Sequence, residues 1–405
     1  MPNAYAGPAQ GAAPKGSGWQ MAMVAVELAA LFAAANLPTP LYVIYRQKFH
    51  FSEITLTLAF AVYMAGALFS MILLGRLSDQ LGRRPISYLG VGLTVLATLL
   101  FLLVGDTAML FVARLLSGFS IGMVAAAGTA WVAELQPQGD EQAAALVSAG
   151  ANVAGLGVGP LLAGILAQYA PWPLKTPYLV FLAGLAVITL LTLQVEETVE
   201  DRKGLRELSL TPRMGVPGDI LPEFVSPAVT AFVTFALMGF YSAVTPSLVG
   251  ETLKISNHAV GGAAVFAFFA AGVAALVATR RLKSRTAMLA GLVLLAPAVL
   301  LLAAAQGARS AWLLALATLI GGASVALGYR GALQVVNKIA PEDRRAEVVA
   351  SFLACCYAGV SVPTVGVGII SQIWGLTAAS AVLAGVLCAL ALAALVAGLR
   401  SAPKD

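Results

Sequence analysis

Two ionisable side chains lie inside long apolar stretches of this sequence, where an uncompensated charge is costly. Glu27 is the one acid well inside any apolar run, and Arg114 lies inside another run further along the chain. Ionisable groups at such a depth usually face a partner or a cavity and have a function. Because removal from water disfavours the charged form of a carboxyl group, Glu27 is a candidate to hold a proton and to release it when rehydrated or paired.

Arginine does not lose its proton usefully, so the predicted role of Arg114 is electrostatic. It would pair with Glu27 in one state of the protein and release it in another. Two structural alternatives stay open at this stage. One makes Glu27 an acid that is buried beside an arginine for packing alone, and the other makes Arg114 a fixed cation that binds backbone carbonyl groups.

The elements that position these residues are apolar runs of about 20 residues, the length that a helix needs to cross a hydrocarbon core of about 30 Å. Of the 405 residues, 60% are hydrophobic and 11% are charged, whereas about 25% are charged in soluble domains. The sequence therefore predicts an all-α polytopic membrane protein with twelve transmembrane helices. The twelve runs cover residues 19–45, 54–74, 86–104, 107–133, 142–168, 176–195, 224–249, 258–279, 286–305, 311–337, 346–370 and 376–399.

The second half of the chain repeats the first at an offset of 204 residues. The longest interval between two runs, 196–223, is charged and contains proline. We therefore predict two pseudo-symmetric six-helix bundles, over 19–195 and 224–399, joined by a cytoplasmic linker over 196–223. The remaining residues, 1–18 and 400–405, are predicted to be cytoplasmic tails, the first of them disordered. The repeated positions are Gly118, Pro137, Gly155 and Gly164, which recur as Gly322, Pro341, Gly359 and Gly368.

The distribution of basic residues indicates the orientation in the membrane. Seventeen of the 24 lysine and arginine residues lie on the side of the two termini, five lie on the opposite side, and Arg114 and Arg330 lie within the runs. Cytoplasmic loops carry the excess of basic residues, so both termini are predicted to be cytoplasmic in a multi-pass protein of the plasma (inner) membrane. Because basic residues do not cluster with aromatic residues, the net charge of +5 indicates topology and not nucleic-acid binding.

A short charged turn joins the second and third runs, with the sequence GRLSDQLGRRP from Gly75 to Pro85. Gly75 and Gly82 allow a tight reversal, and Asp79 can accept charge-assisted hydrogen bonds from the arginines around it. The pattern closely resembles the loop between helices two and three of the major facilitator superfamily, although Gln80 stands where that pattern usually has a basic residue. The resemblance implies two matched six-helix halves, with the substrate site between them near the middle of the membrane.

The resemblance also implies a cytoplasmic gate at this turn. In the family, the aspartate and the arginine of the turn bond to an acid at the end of helix four and to the start of helix eleven. Here the acid is Glu134, and helix eleven begins near residues 341–343. The alternative is a solvated run of charges that only sets topology. The residues predicted for this gate are Gly75, Asp79, Gly82, Arg83, Arg84 and Glu134.

Two further segments resemble motifs of the family. Residues 110–118 resemble the helix-four motif, with its arginine at position 114 and a glycine four residues later. The stretch GLGVGPLLAG at 155–164 resembles the helix-five motif G-x-x-x-G-P-x-x-G-G of the drug:proton antiporter branch, with Ala163 at the first of the last two glycines. Proline removes a hydrogen bond and kinks the helix, and the glycines would form a smooth face, expected to pack against helix eight of the other half. Ordinary glycine packing is the alternative. The residues of this motif are Gly155, Gly159, Pro160 and Gly164.

Helix one is the predicted lining of a substrate cavity. Prolines at positions 38 and 40 break its regular hydrogen bonding, so the freed carbonyl groups need partners inside the protein or a cavity. Arg330 would either bind an anionic substrate or brace a carbonyl group. The candidate cavity residues are Asn36, Tyr63, Asn152, Tyr241, Arg330, Gln334 and Tyr357.

Together these features predict a proton-coupled exporter, an antiporter of small and partly lipophilic molecules such as drugs or metabolites, that works by alternating access. The alternative is a proton-coupled symporter that imports a small anionic or polar metabolite. An enzyme is not expected, because the sequence has no nucleophile–base pair or metal-ligand cluster, and neither a cofactor nor a metal is predicted. The expected partners are the small-molecule substrate, protons and the lipid bilayer, without nucleic acid, and we expect a monomer.

Overall fold

The computed structural model describes residues 17–75, 77–200, 202 and 214–401, and within these ranges the chain is helical and contains no β-strand. Most of both predicted tails, and the centre of the predicted linker, lie outside the described residues. The first half contains α1 (Gly18–Asn36), α2 (Tyr42–Phe49), α3 (Glu53–Leu74), α4 (Leu77–Leu81), α5 (Arg83–Leu103), α6 (Thr107–Glu134), α7 (Glu141–Tyr169) and α8 (Thr176–Thr192). The second half contains α9 (Leu221–Ala243), α10 (Thr245–Ser247), α11 (His258–Ala278), α12 (Ser284–Gly307), α13 (Ala311–Ile339) and α14 (Arg345–Ser401).

These helices account for the twelve predicted membrane crossings. Ten of the described helices are long and apolar enough to cross a membrane, and α8 is a shorter apolar helix. One of the ten, α14, contains two crossings, because Gly375 interrupts it with a backbone φ of 83°, a conformation that glycine adopts without strain. The prediction of an all-α polytopic membrane fold is confirmed.

The first crossing of each half is broken at proline. After α1 ends at Asn36, Pro38 and Pro40 have no N–H group with which to continue the helix. The chain turns through Thr39, whose N–H donates to Asn36 O at 3.0 Å, and then enters α2. In the second half, Pro246 lies between α9 and a π-helical turn. These breaks leave backbone carbonyl groups inside the protein available for other hydrogen bonds.

Glycine lets the central helices of each half approach one another closely. A side chain at Gly118 of α6 would collide with the backbone carbonyl group of Tyr63 in α3. A side chain at Gly322 of α13, the repeat equivalent of Gly118, would collide with the carbonyl group of Phe268 in α11. Close approach through small residues is a common way for membrane helices to pack. The sequence repeat therefore corresponds to equivalent helix contacts in the two halves.

The two halves touch at one end of the bundle and, through Gly157 of α7 against Phe266 and Phe269 of α11, near its middle. We call the end that carries residues 17 and 401 the terminal end, and the opposite end the distal end. The halves pack through α7 against α11, and through α3 against α14. Gly164 of α7 lies against His258 at the start of α11, and Gly368 of α14 lies against Thr57 near the start of α3. Both of these contacts are at the distal end.

Polar contacts between the halves follow the same distribution. Arg46 Nη1 lies 2.6 Å from Glu251 Oε1, and the backbone N–H of His258 donates to Gln168 Oε1 at 2.8 Å. At the terminal end, the hydrogen bonds and ion pairs of Arg83, Arg285, Arg330 and Arg344 join residues of the same half. The halves are therefore fastened to each other at the distal end.

Candidate functional site

Glu27 is buried in the first half, with 1% of its surface exposed. Its Oε1 accepts a hydrogen bond from Ser87 Oγ of α5, Thr192 of α8 lies beside it, and its Oε2 has no hydrogen-bond partner among the described residues. The carboxyl group therefore lies between α1, α5 and α8 and does not face lipid. The sequence predicted that it faces a partner or a cavity, and in this conformation it faces Ser87 and is enclosed by its own half. Hydropathy places a residue in a helix without fixing the direction in which its side chain points.

Arg114 is fully buried and does not pair with Glu27. Its Nε donates to the hydroxyl of Tyr42, and its Nη1 donates to Ala35 O at 2.7 Å. The guanidinium carbon lies 5.0 Å from the ring centre of Tyr42, 5.5 Å from that of Tyr63 and 5.4 Å from that of Phe101, distances at which aromatic rings stabilise a cation. The predicted pair is absent from this conformation, and the bond to a backbone carbonyl corresponds to the alternative that the sequence left open.

The broken end of α1 explains why Ala35 can accept this bond. In a continuous helix, Ala35 O would receive the N–H group of the residue four positions later. That residue is Thr39, whose N–H bonds to Asn36 O instead. The carbonyl group of Ala35 is therefore free to accept from Arg114. The prolines in the first crossing thus create the acceptor that holds the buried cation.

Sequence reasoning named Tyr63 but missed Tyr42 and Tyr45, the other tyrosines near this cation. Tyr45 donates its hydroxyl hydrogen to Phe101 O at 3.0 Å, and its hydroxyl lies 3.1 Å from that of Tyr178 in α8. Both tyrosines are buried. The spacing of Tyr42 and Tyr45, three positions apart on one helix, was an available signal, because residues three apart share a helix face.

Three of the candidate cavity residues are buried in helix contacts. Asn36 Nδ2 donates to Leu156 O at 3.1 Å and to Ser242 Oγ of the other half at 3.4 Å. Tyr241 is also buried, and its hydroxyl lies 3.1 Å from Thr318 Oγ1. Tyr63 packs against Arg114 as described above. In this conformation these side chains join helices and do not line open space, which corrects the prediction for Asn36 and Tyr241.

The other four candidates are at least partly accessible. Tyr357 and Asn152 are half-buried and Gln334 is exposed; the Oδ1 atom of Asn152 has no hydrogen-bond partner in the described part of the chain. Arg330 donates from Nη2 to Leu282 O at 3.3 Å, so it braces a carbonyl group, as one of its two predicted roles requires. The structure does not bring Arg330 to Arg114, since Arg330 lies toward the terminal end and Arg114 toward the distal end.

The charged turn forms a compact cluster at the terminal end. Arg83 Nη1 donates to Asp79 Oδ1 at 2.5 Å and to Ser78 Oγ at 2.8 Å, and its Nη2 donates to Glu134 Oε1 at 2.7 Å. Only 9% of the arginine side chain is exposed. The turn, α4 and the end of α6 are therefore held together by one guanidinium group, which is the arrangement expected from the resemblance.

One expected contact of this cluster is not made. Asp79 has 60% of its side chain exposed, and within the described residues it forms no hydrogen bond or ion pair with residues 341–343. The start of α14 belongs to the other half, and the halves are fastened at the distal end. A further acid, Glu197, does reach the turn, and sequence reasoning assigned it only to a linker.

The glycine motif of α7 serves two neighbours. Side chains at Gly155 and Gly159 would collide with backbone carbonyl groups of α1, whereas Gly164 lies against α11 and the carbonyl of Pro160 lies against Gly262 of α11. The expectation of one smooth face against the other half is therefore wrong for the first two glycines. Positions four apart share a face, and the next residue lies about 100° further round the helix. The motif thus places α7 between its own half and the other one.

Solved transporters share this architecture. The structure matches a bacterial homologue of the human lysosomal transporter Spinster, in an inward-facing and unoccupied conformation, with a TM-score of 0.73 over 96% of this chain and 98% of that one. It matches a peptide transporter POT with a TM-score of 0.74 over 95% of this chain and 94% of that one. Both are 14% identical in sequence, so the likeness shows the fold. The fold is that of a polytopic helical membrane protein with two matched halves.

The sequence comparisons then define the family. A family model described as Major Facilitator Superfamily matches residues 24–275, more than half of the chain, and the protein belongs to that superfamily. It is 28% identical over 229 residues to the multidrug resistance protein MdtM of Salmonella typhimurium, covering 56% of this chain and 54% of that protein. It is 29% identical over 232 residues to the multidrug transporter MdfA of Escherichia coli O157:H7, covering 55% and 54% respectively. The chain thus spans about half the length of these relatives.

Proposed function

We propose that this protein is a proton-coupled exporter of small, partly lipophilic molecules, and that it works by alternating access. Its superfamily and the names of its relatives, which are multidrug transporters, support export of drug-like compounds. The observation that carries the proposal is the asymmetry between the two ends of the bundle. The halves are fastened at the distal end, whereas the ion cluster at the terminal end lies within one half.

The excess of basic residues in the loops of the terminal end supports a cytoplasmic position for that end, and in the proposed cycle this conformation is the inward-facing one. A substrate would enter from the cytoplasm or the inner leaflet and bind between the halves near the middle of the membrane. Reaching the outward-facing state requires the distal contacts to break. The ion pair of Arg46 and Glu251 is partly exposed, and exposed pairs contribute about 0–1 kcal/mol. This ion pair therefore adds little to the free energy that is needed to open the distal contacts.

Glu27 is the proposed proton carrier. In the inward-facing state its carboxyl group is enclosed and receives one hydrogen bond, from a neutral hydroxyl. A charged carboxylate is disfavoured in such surroundings, so protonation from outside favours this state. Substrate binding between the halves would shift α1 and release the proton. Export is coupled to the pH gradient if protonation of Glu27 and binding of the substrate exclude each other.

One observation favours the second candidate, a proton symporter that imports a small anion. Arg114 has no carboxylate among its contacts, and its Nη2 has no hydrogen-bond partner in the described part of the chain. An anionic group of a substrate would satisfy this nitrogen. The site is closed in the present conformation, so binding there requires the tyrosines around the guanidinium group to move.

The test is proton movement in proteoliposomes that contain a pH-sensitive dye, on addition of chloramphenicol, ethidium or a small carboxylate. Alkalinisation of the compartment that receives the substrate indicates antiport and supports the proposal. Acidification of that compartment indicates symport and supports the second candidate. Transport without any proton movement would contradict both, and liposomes without protein give the background rate of leakage.

A further inference from the structure

An acid from the segment after α8 lies against the charged turn. Glu197 has 9% of its side chain exposed. Its Oε1 accepts the backbone N–H of Arg83 at 2.9 Å, and its Oε2 accepts the backbone N–H of Arg84 at 3.0 Å. The first N–H groups of a helix have no partner within that helix, and the positive end of the helix dipole favours a negative charge. Glu197 thus provides hydrogen-bond acceptors for the first two backbone N–H groups of α5.

Gly82 makes room for this carboxylate. It has a backbone φ of 109°, and a Cβ atom at this position would collide with the carboxylate of Glu197. A residue other than glycine would therefore strain the turn and also displace the acid. The glycine that the sequence marked as a tight reversal is also the place where Glu197 enters.

Three further bonds hold the same segment, residues 193–198, against the first half. Arg84 Nη2 donates to Leu193 O at 2.9 Å, and Trp131 Nε1 donates to Glu196 O at 3.0 Å. Thr198 donates its hydroxyl hydrogen to Glu134. Glu134 is the acid that the guanidinium group of Arg83 reaches, so the segment contacts both partners of the ion pair.

Arg83 is consequently held at two places. Its backbone N–H is fixed by Glu197, and its side chain is fixed by Asp79 and Glu134. The hydrogen bond from Glu197 fixes the position of the Arg83 backbone. That position decides whether the guanidinium group of Arg83 can reach both acids. Without it, the start of α5 would lose a charged partner and the arginine would be free to shift.

We infer that Glu197 is a positioning residue of the gate, which holds Arg83 where its side chain can make and break the cluster with Asp79 and Glu134 as the halves move. This inference rests on the proposed alternating-access function. The hydrogen bonds of Glu197 among the described residues join it to the charged turn and to the two residues that follow it, and to none of the candidate cavity residues. Its removal therefore changes the populations of the two states and the rate at which they exchange, and leaves substrate binding intact.

The test compares Glu197→Gln with Glu196→Gln in the full-length protein in proteoliposomes. The control removes the same charge one position away from an exposed side chain. We expect Glu197→Gln to lower kcat about tenfold, while KM changes by less than about twofold, and Glu196→Gln to behave as the wild type. Equal kcat values in the two variants would overturn the inference, and so would an increase in KM alone.

A second measurement separates a positioning role from loss of folding. Spin labels at Gln138 and Asn337, both exposed at the terminal end, report the distance between the halves. We expect Glu197→Gln to keep the wild-type melting temperature within a few degrees and to change the distribution of these distances. If the distance distribution in Glu197→Gln is the same as in the wild type, the inference is contradicted, whether or not the wild type transports any of the compounds tested. If the wild type shows two spin-label distances but transports no compound, that result contradicts the proposed function and not the inference about Glu197.

Discussion

The charged turn of the first half and its counterpart in the second half share one interaction. In the first half, Arg84 Nη2 donates to Leu193 O at 2.9 Å, at the end of α8. In the second half, Arg285 Nη2 donates to Leu399 O at 2.8 Å, near the end of α14. Each arginine interacts with carbonyl groups at the negative end of the last helix of its half. This common contact is a structural brace that both halves retain.

The acids differ between the two turns. Asp79 and Glu134 have lysines, Lys283 and Lys338, at the positions 204 residues later. Lysine near the C-terminal end of a helix is favourable, whereas Glu134 at the end of α6 is not, and it needs the guanidinium group of Arg83. From this difference we infer that the brace keeps each half folded, and that the ion cluster serves the change of state in the proposed cycle.

The largest expected difference is between Arg83→Gln and Arg285→Gln. The first removes hydrogen bonds to two acids, each contributing about 1.5–3 kcal/mol, and leaves those acids close together. We expect Arg83→Gln to lower the initial rate of transport at least about tenfold, and Arg285→Gln less than about threefold. Rates at equal amounts of reconstituted protein measure this, and similar rates in the two variants would remove the functional distinction between the turns.

A smaller effect is expected for Glu134→Gln. The amide keeps an acceptor for Arg83 but loses the charge, so the rate should fall about threefold to tenfold. The matched control is Lys338→Gln, which removes the opposite charge at the equivalent position and should leave the rate unchanged. A rate that falls equally in both variants, measured in the same transport assay, would indicate that the ends of α6 and α13 contribute alike.

The smallest effect is expected for the shared brace. Arg84→Gln and Arg285→Gln each remove a hydrogen bond from a charged donor at a helix end. We expect each to lower the melting temperature in detergent by about 2–4 °C, with similar values for the two. Thermal unfolding followed by fluorescence provides the measurement. A loss of stability confined to one variant would show that the two turns are not braced equivalently.

The sequence predicted the features that depend on length, composition and local spacing. The twelve crossings follow from apolar runs, and the contact of Arg83 with Asp79 follows from their closeness in the turn, whereas the contact of Arg83 with Glu134 was implied by the family resemblance. The partners of buried residues could not be predicted in this way. Glu27 faces Ser87, and Arg114 reaches Ala35 O, because of the direction of each side chain round its helix.

The glycine motif and the segment after α8 show the same limit. A period of four placed Gly155 and Gly159 on one face of α7, but only the packing of the helices shows that α1 covers that face. Glu197 stands in a charged stretch that reads as a linker. Its role depends on a helix start more than a hundred positions earlier in the chain, which no local pattern indicates.

The proposal depends on Glu27 binding and releasing a proton as the substrate is transported. The substitution Glu27→Gln tests this most directly. Glutamine is neutral and can still accept the hydrogen bond from Ser87, so it imitates the protonated carboxyl group. In proteoliposomes with an imposed pH gradient, we expect the variant to exchange substrate for substrate across the membrane and to lose accumulation driven by the gradient. Accumulation at the wild-type level in Glu27→Gln, under the same gradient, would contradict the account.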